Sequence, residues 1–116
     1  MKKAKETVGI GKQLVSFGKA VESLKQGKRV CRNGWDGLFV FEQVPSKVGW
    51  EFIPKMTSLP QSVKDEFDRR FNETEIDGDL YIKYSNQLVL VKPNNDINGW
   101  SPSIEDSLAN DWIVLD

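Results

Sequence analysis

The stretch "SFGKAVESLKQGKRVCRNGWDGLFVFEQV" (16–44) decides the fold class, because its apolar period changes partway along. Phe17, Ala20, Val21 and Leu24 fall at i, i+3, i+4 and i+7, one face of a helix. Ser16 stands where an N-cap side chain accepts a backbone N–H. Lys25, Lys28 and Arg29 complement the negative C-terminal end, and Gly27 suits the left-handed residue that stops a helix. The period then shortens to two. Residues 30–33 read as a strand entering a turn at "NGWDG" (33–37), and "LFVFEQV" (38–44) as a strand. Leu38, Val40 and Val44 share one face of it, Phe39 and Phe41 the other. Both faces begin apolar, so either both are covered within one chain or one meets another subunit.

The rest of the chain continues the alternation. Pro45, Ser46 and Lys47 turn the chain, and "VGWEFI" (48–53) reads as a returning strand. "TSLPQSVKDEFDRRFNE" (57–73) reads as a second helix. Ser58 and Gln61 have capping-box spacing, Pro60 fits the first turn, and Val63, Phe67 and Phe71 form a narrow apolar stripe for packing on a sheet. "EIDGDLYIKYSNQLVLVKP" (75–93) reads as strand, turn, strand, with the continuous apolar run 88–91 central in the sheet. Residues 94–99 read as a polar loop. Ser103 caps a short helix with Asp106 at its third position, and "DWIVLD" (111–116) ends as a strand, Leu108, Trp112, Ile113 and Leu115 closing the core. The expectation is one small α+β domain over 1–116: a mainly antiparallel sheet with an N-terminal, a mid-chain and a short C-terminal helix. Residues 1–15, with Lys2, Lys3, Lys5 and Lys12, form a loose basic arm.

Composition narrows the function. With 116 residues the chain buries roughly two thirds of its unfolded surface, enough for one core. Sixteen basic against seventeen acidic residues offer no field favouring a nucleic-acid polymer or an anionic membrane. No apolar run is long enough to span a bilayer, and no apolar signal core follows the basic start. The single cysteine, Cys31, forms no intrachain disulfide, and its place in a strand points to a buried, inert thiol. The absence of histidine removes the commonest general base, the Ser-His and Cys-His pairs and most zinc sites, so no catalytic residue or cofactor is assigned.

Three constellations remain. "NNDINGWSPSIE" (94–105) places Asn94, Asp96, Asn98, Gly99 and Glu105 at calcium-loop positions. An apolar strand precedes it where a helix is needed and Pro102 interrupts it, so a turn explains it better and no metal ligand is assigned. "RNGWDG" (32–37) and "GWSPS" (99–103) each set a tryptophan after a glycine beside small polar groups. Two readings stay open for Trp35 and Trp100: core packing, the commoner fate of large aromatics, or stacking against a nucleobase, worth about 1–3 kcal/mol per base. Trp50 and Trp112 sit in apolar patterns and read as core. Asp106 and Asp111 could suggest acid–base chemistry, but Asp106 is explained by its place in the first helical turn, Asp111 by the helix-to-strand exit, and no perturbing partner is visible.

Two segments together resemble a known family. "SFGKAVESLKQGKRVCRNGWDG" (16–37) is similar to its N-terminal signature through Phe17-Gly18, Ala20, Gly27, Arg32, Trp35 and Gly37. "GWSPSIEDSLANDW" (99–112) is similar to its C-terminal one through Trp100, Pro102-Ser103, Asp106, Leu108-Ala109 and Asp111-Trp112. The family is the phage-encoded Thoeris anti-defence proteins of the second type, and the signatures cover about a third of the chain. The resemblance implies a sponge that binds a cyclic ADP-ribose-type immune signal, of the glycocyclic kind, intact, and keeps it from its effector. It implies a homo-oligomer, a tetramer, with pockets at subunit contacts, acting in the cytoplasm of the infected bacterial host. In some members it implies a separate site for cyclic dinucleotides.

Carried over by motif position, Trp35 and Trp100 become stacking walls, Arg32 meets a phosphate, and Asn33, Asp36, Ser103 and Asp106 read base edges and ribose hydroxyls. Two other mechanisms compete: an enzyme hydrolysing such a signal, and a protein-binding inhibitor of a defence effector that would use the Phe39/Phe41 face.

Overall fold

The computed structural model describes residues 13–73 and 80–116. Of the expected basic arm only 13–15 fall within these, as does all but the start of the 75–93 segment. The fold is α+β with a mainly antiparallel sheet. The chain groups into two compact units, the first from its two ends, up to Val44 and from Asn86 onward, the second from Pro45–Ser85.

The first unit contains α1 (Phe17–Lys25), β1 (Val30–Arg32), β2 (Phe39–Gln43), β5 (Gln87–Val91), β6 (Ile97–Gly99), α3 (Ile104–Leu108) and β7 (Trp112–Val114). The second contains β3 (Ser46–Gly49), a 3-10 helix at Trp50–Lys55, α2 (Gln61–Asn72) and β4 (Tyr81–Tyr84).

α1 forms as its sequence requires. The Ser16 hydroxyl accepts from the Lys19 N–H at 3.2 Å, and Gly27, at φ +86°, takes the left-handed turn that ends it. Ala20 and Leu24 are buried. They pack with Val30, Val40 and Trp112 on one face of a five-stranded antiparallel sheet ordered β6-β5-β2-β1-β7. Complete burial of each larger aliphatic side chain here contributes about 1.5–3 kcal/mol. The run 88–91 lies in β5, inside the sheet between β6 and β2, as its unbroken apolar character predicts. Alternation puts Cys31, Ile113 and Val89 on the opposite face, and they are buried as well. Phe39 and Phe41 on that face are half-buried, 6.4 Å apart, with the Arg29 guanidinium 5.1 Å above the Phe39 ring. The outer edge of β7 is met by Val15, which exchanges two backbone hydrogen bonds with Trp112.

Four local expectations are corrected here. Residues 94–99 are not a polar loop: β6 pairs with β5 (Val89↔Gly99, Leu90↔Asn98, Val91↔Ile97) through a tight turn. In that turn the Asn94 carboxamide oxygen accepts from the Asp96 N–H at 3.0 Å and Asn95 sits at φ +72°. The calcium-loop spacing therefore belongs to a hairpin. The segment 48–53 is not a returning strand. Ser46–Gly49 pairs with β4 in a separate two-stranded sheet, and the chain then coils into the 3-10 helix, where Pro54, which has no N–H to give a ladder, is tolerated. Hence 81–84 and 87–91, adjacent in sequence, belong to different sheets.

The Ser58–Gln61 capping box does not form. α2 begins at Gln61, the carbonyl of Pro60 accepts from Val63 and Lys64, and Gln61 instead donates to Asp65 at 2.9 Å. The α2 stripe packs on aromatic neighbours, Phe71 5.6 Å from Trp50 and 6.2 Å from Phe67. Finally, Leu108 does not close the core. It is 75% exposed, whereas Trp112 and Ile113 are fully buried and Leu115 half-buried.

Candidate functional site

The two halves of the predicted site meet around Trp112. β1 ends at Arg32, whose carbonyl accepts from the Trp35 N–H at 3.0 Å, closing a turn with Gly34 at φ +95°. A turn with its third residue in that region favours glycine. Trp35 is thereby set edge-on to Trp112, ring centroids 5.5 Å apart. From the other side, the Trp100 N–H extends the sheet by donating to the Leu88 carbonyl at 2.9 Å, and its ring lies 6.1 Å from Trp112. Phe17 of α1 completes the cluster, 5.4 Å from Trp112 and 6.5 Å from Trp100. Trp112 is buried; Trp35 and Trp100 are half-buried.

Beside the aromatic cluster lies a charged one. Arg32 and Trp112 are cross-strand partners and share a face. The Arg32 Nε and Nη2 donate to the two carboxylate oxygens of Asp111 at 3.0 and 3.3 Å, a bidentate pair, and Nη1 donates to Asp106 Oδ1 at 3.1 Å. No partner for either aspartate is visible in the sequence; the fold brings Arg32 to both. Antiparallel pairing of β1 with β7 brings Arg32 to them from far along the chain. Two carboxylates against one guanidinium leave one negative charge in excess.

Asp106 is held from several directions. Its Oδ2 accepts from the Ser103 N–H and its own N–H donates to the Ser103 hydroxyl, both at 3.0 Å, the complete capping box of α3. Its backbone carbonyl accepts from the Trp112 indole at 2.9 Å. Burial pushes the Asp106 carboxyl up, but the Ser103 N–H and the Arg32 guanidinium together hold it below the usual carboxylate range. Arg32 is held above its ordinary value, first by its hydrogen bond to Asp111 and then by that to Asp106.

The remaining site residues sit on the rim. Asn33, Asp36 and Ser103 are exposed, and the Asn33 N–H donates to the Asp111 carbonyl at 2.8 Å. Residue-level reasoning missed Phe17 and Asp111 as members of the constellation. For Asp111 the hint was its place immediately before the strand residue that faces Arg32.

A shallow groove of about 230 Å³ lies within the second unit, lined by Trp50, Ile53, Pro54, Gln61, Lys64, Asp65 and Asp68. Its charges are of mixed sign and partly engaged: Lys64 donates to the Pro54 carbonyl at 3.1 Å, and Asp65 accepts from Gln61. None of the described helices is long and apolar enough to cross a membrane.

Two comparisons bear on the whole chain. A family profile described as the Thoeris anti-defense 2-like domain matches residues 15–115. A protein named Thoeris anti-defense 2, from Bacillus phage SP01, is 32% identical over 104 residues, covering 90% of this chain and 98% of its own.

Proposed function

The chain belongs to the Thoeris anti-defense 2-like family, and from that premise we propose that it counters Thoeris immunity by sequestering a nucleotide signal without cleaving it. The ligand is a cyclic ADP-ribose-type molecule, of the glycocyclic kind. Trp35 and Trp100 supply stacking surfaces, and Asn33, Asp36 and Ser103 read polar edges and ribose hydroxyls. The observation that carries this is the convergence of both signature segments on Trp112, which leaves Trp35 and Trp100 each with one side against the core and the rest outward. Such aromatics are held in place before binding, so little ordering cost is added when a ligand docks, as a sponge requires.

Asp106 is not disposed to act as a general acid. Asp106 is held ionised by Ser103 and Arg32, the opposite of the raised pKa that a general acid needs at neutral pH. The protein acts in the cytoplasm of the infected bacterial host as a homotetramer with pockets at subunit contacts, cyclic dinucleotides being a second ligand class to test.

The test is recovery. The protein is incubated with glycocyclic ADP-ribose, denatured, and the nucleotide quantified by chromatography. Full return of intact nucleotide is expected; a cleaved product overturns sequestration. Native mass spectrometry of the mixture before denaturation, and of one with cyclic dinucleotides, reports stoichiometry and ligand class together.

A further inference from the structure

We infer that Arg32 positions the binding site and does not itself contact the ligand: with Asp106 and Asp111 it forms a clamp holding the 99–106 segment against the turn that carries Trp35. The inference rests on the sequestration reading and assigns its most highly charged residues a different part from the polar rim. Each guanidinium nitrogen of Arg32 already donates to an aspartate oxygen. The Arg32 and Asp106 side chains are only 18% and 16% exposed. The cluster carries excess negative charge, so an anionic phosphate arriving at Arg32 would have to displace two carboxylates or face them.

The connections run outward to both tryptophans. Arg32 reaches Trp35 through the turn its carbonyl closes. It reaches the helix entrance through Asp106, whose second oxygen holds the Ser103 N–H, three residues beyond Trp100. The Asp106 carbonyl takes the indole proton of Trp112, the ring both rim tryptophans abut. A group held this way fixes geometry through its neighbours, as the supporting shell of a binding site does.

The deciding experiment uses the sign of the aspartate effects. Binding of glycocyclic ADP-ribose is measured by calorimetry for the parent, Arg32→Gln, Asp106→Asn, Asp111→Asn and the double variant Arg32→Gln/Asp111→Asn. A clamp predicts that every single variant weakens binding, by about tenfold or more, and that the double variant is no worse than the weaker single. A direct phosphate contact predicts that Arg32→Gln weakens binding while Asp111→Asn leaves it unchanged or tightens it, since a negative charge beside an anion is removed; that result overturns the clamp.

If Arg32→Gln does not fold, Arg32→Lys replaces it, and Asp111→Asn, isosteric at a side chain one-third exposed (33%), decides by the same sign. If the parent itself does not bind the probe, the sequestration reading fails and the clamp is judged by near-ultraviolet circular dichroism. Loss of the tryptophan signal in Asp111→Asn with far-ultraviolet ellipticity retained supports it; an unchanged tryptophan signal overturns it.

Discussion

Asp106 and Trp112 are joined twice over: the Trp112 indole donates to the Asp106 carbonyl at 2.9 Å, and Arg32, the cross-strand partner of Trp112, holds the Asp106 carboxylate at 3.1 Å. The short α3 is thus fastened to the sheet through its backbone and its side chain. A helix of five residues has little stability of its own, so these tertiary bonds and its capping box are what keep it formed.

Acid should loosen this fastening. The folded Asp106 carboxyl lies below its ordinary value, so the unfolded chain takes up that proton first. The stabilisation is fully present above the unfolded value, about 3.9, and is lost as pH falls through the lower folded value. Thermal melts from pH 7 down to pH 3 should show a steeper loss for the parent than for Asp106→Asn. Equal slopes would mean the carboxylate contributes nothing.

Trp112→Ala removes the centre of the first unit's core and should cost about 3–5 kcal/mol in chemical denaturation. Trp112→Phe keeps most of the packing but strips the donor from the Asp106 carbonyl, a cost of about 1–3 kcal/mol. A Trp112→Phe variant as stable as the parent would show that the indole bond is not needed.

Trp35→Ala and Trp100→Ala should stay folded, since both rings are half-buried, and each should lose about 1–3 kcal/mol of affinity for glycocyclic ADP-ribose by calorimetry. Parent-like binding by folded variants would exclude both rings from the site.

The two candidate helix caps should behave differently. Ser103→Ala breaks a formed capping box and should cost about 1 kcal/mol. Ser58→Ala should stay within about 0.5 kcal/mol, because α2 begins at Gln61 behind Pro60. Equal losses in paired melts would argue for a cap at Ser58.

Gly37→Ala should destabilise more than Gly34→Ala. Both glycines have positive φ, +80° and +95°, which costs an L-residue about 1–2 kcal/mol. A Cβ at Gly37 would also meet the Pro93 side chain at 3.1 Å, while one at Gly34 meets nothing within 4 Å. The difference in denaturation midpoint between the two variants isolates that contact.

The amino-acid sequence by itself determined what depends on neighbours along the chain. Helical spacing with Ser16 and Gly27 set α1, Ser103 and Asp106 set the start of α3, and the run 88–91 declared an interior strand, each through contacts a few residues long. Only the tertiary structure decided what depends on pairing at a distance. Residues 46–49 and 81–84 pair with each other and not with the main sheet, because period-two patterning states that a strand has two faces but never which edge it joins. Asn94–Asp96 is a hairpin turn because β5 and β6 pair across it. The candidate site divides the same way: Trp35 and Trp100 were legible as glycine-preceded tryptophans beside polar groups, but Arg32, Asp106 and Asp111 became one cluster only when β1 and β7 paired. A charge's partner is chosen by where the backbone delivers it, and that is a property of the sheet and not of the segment.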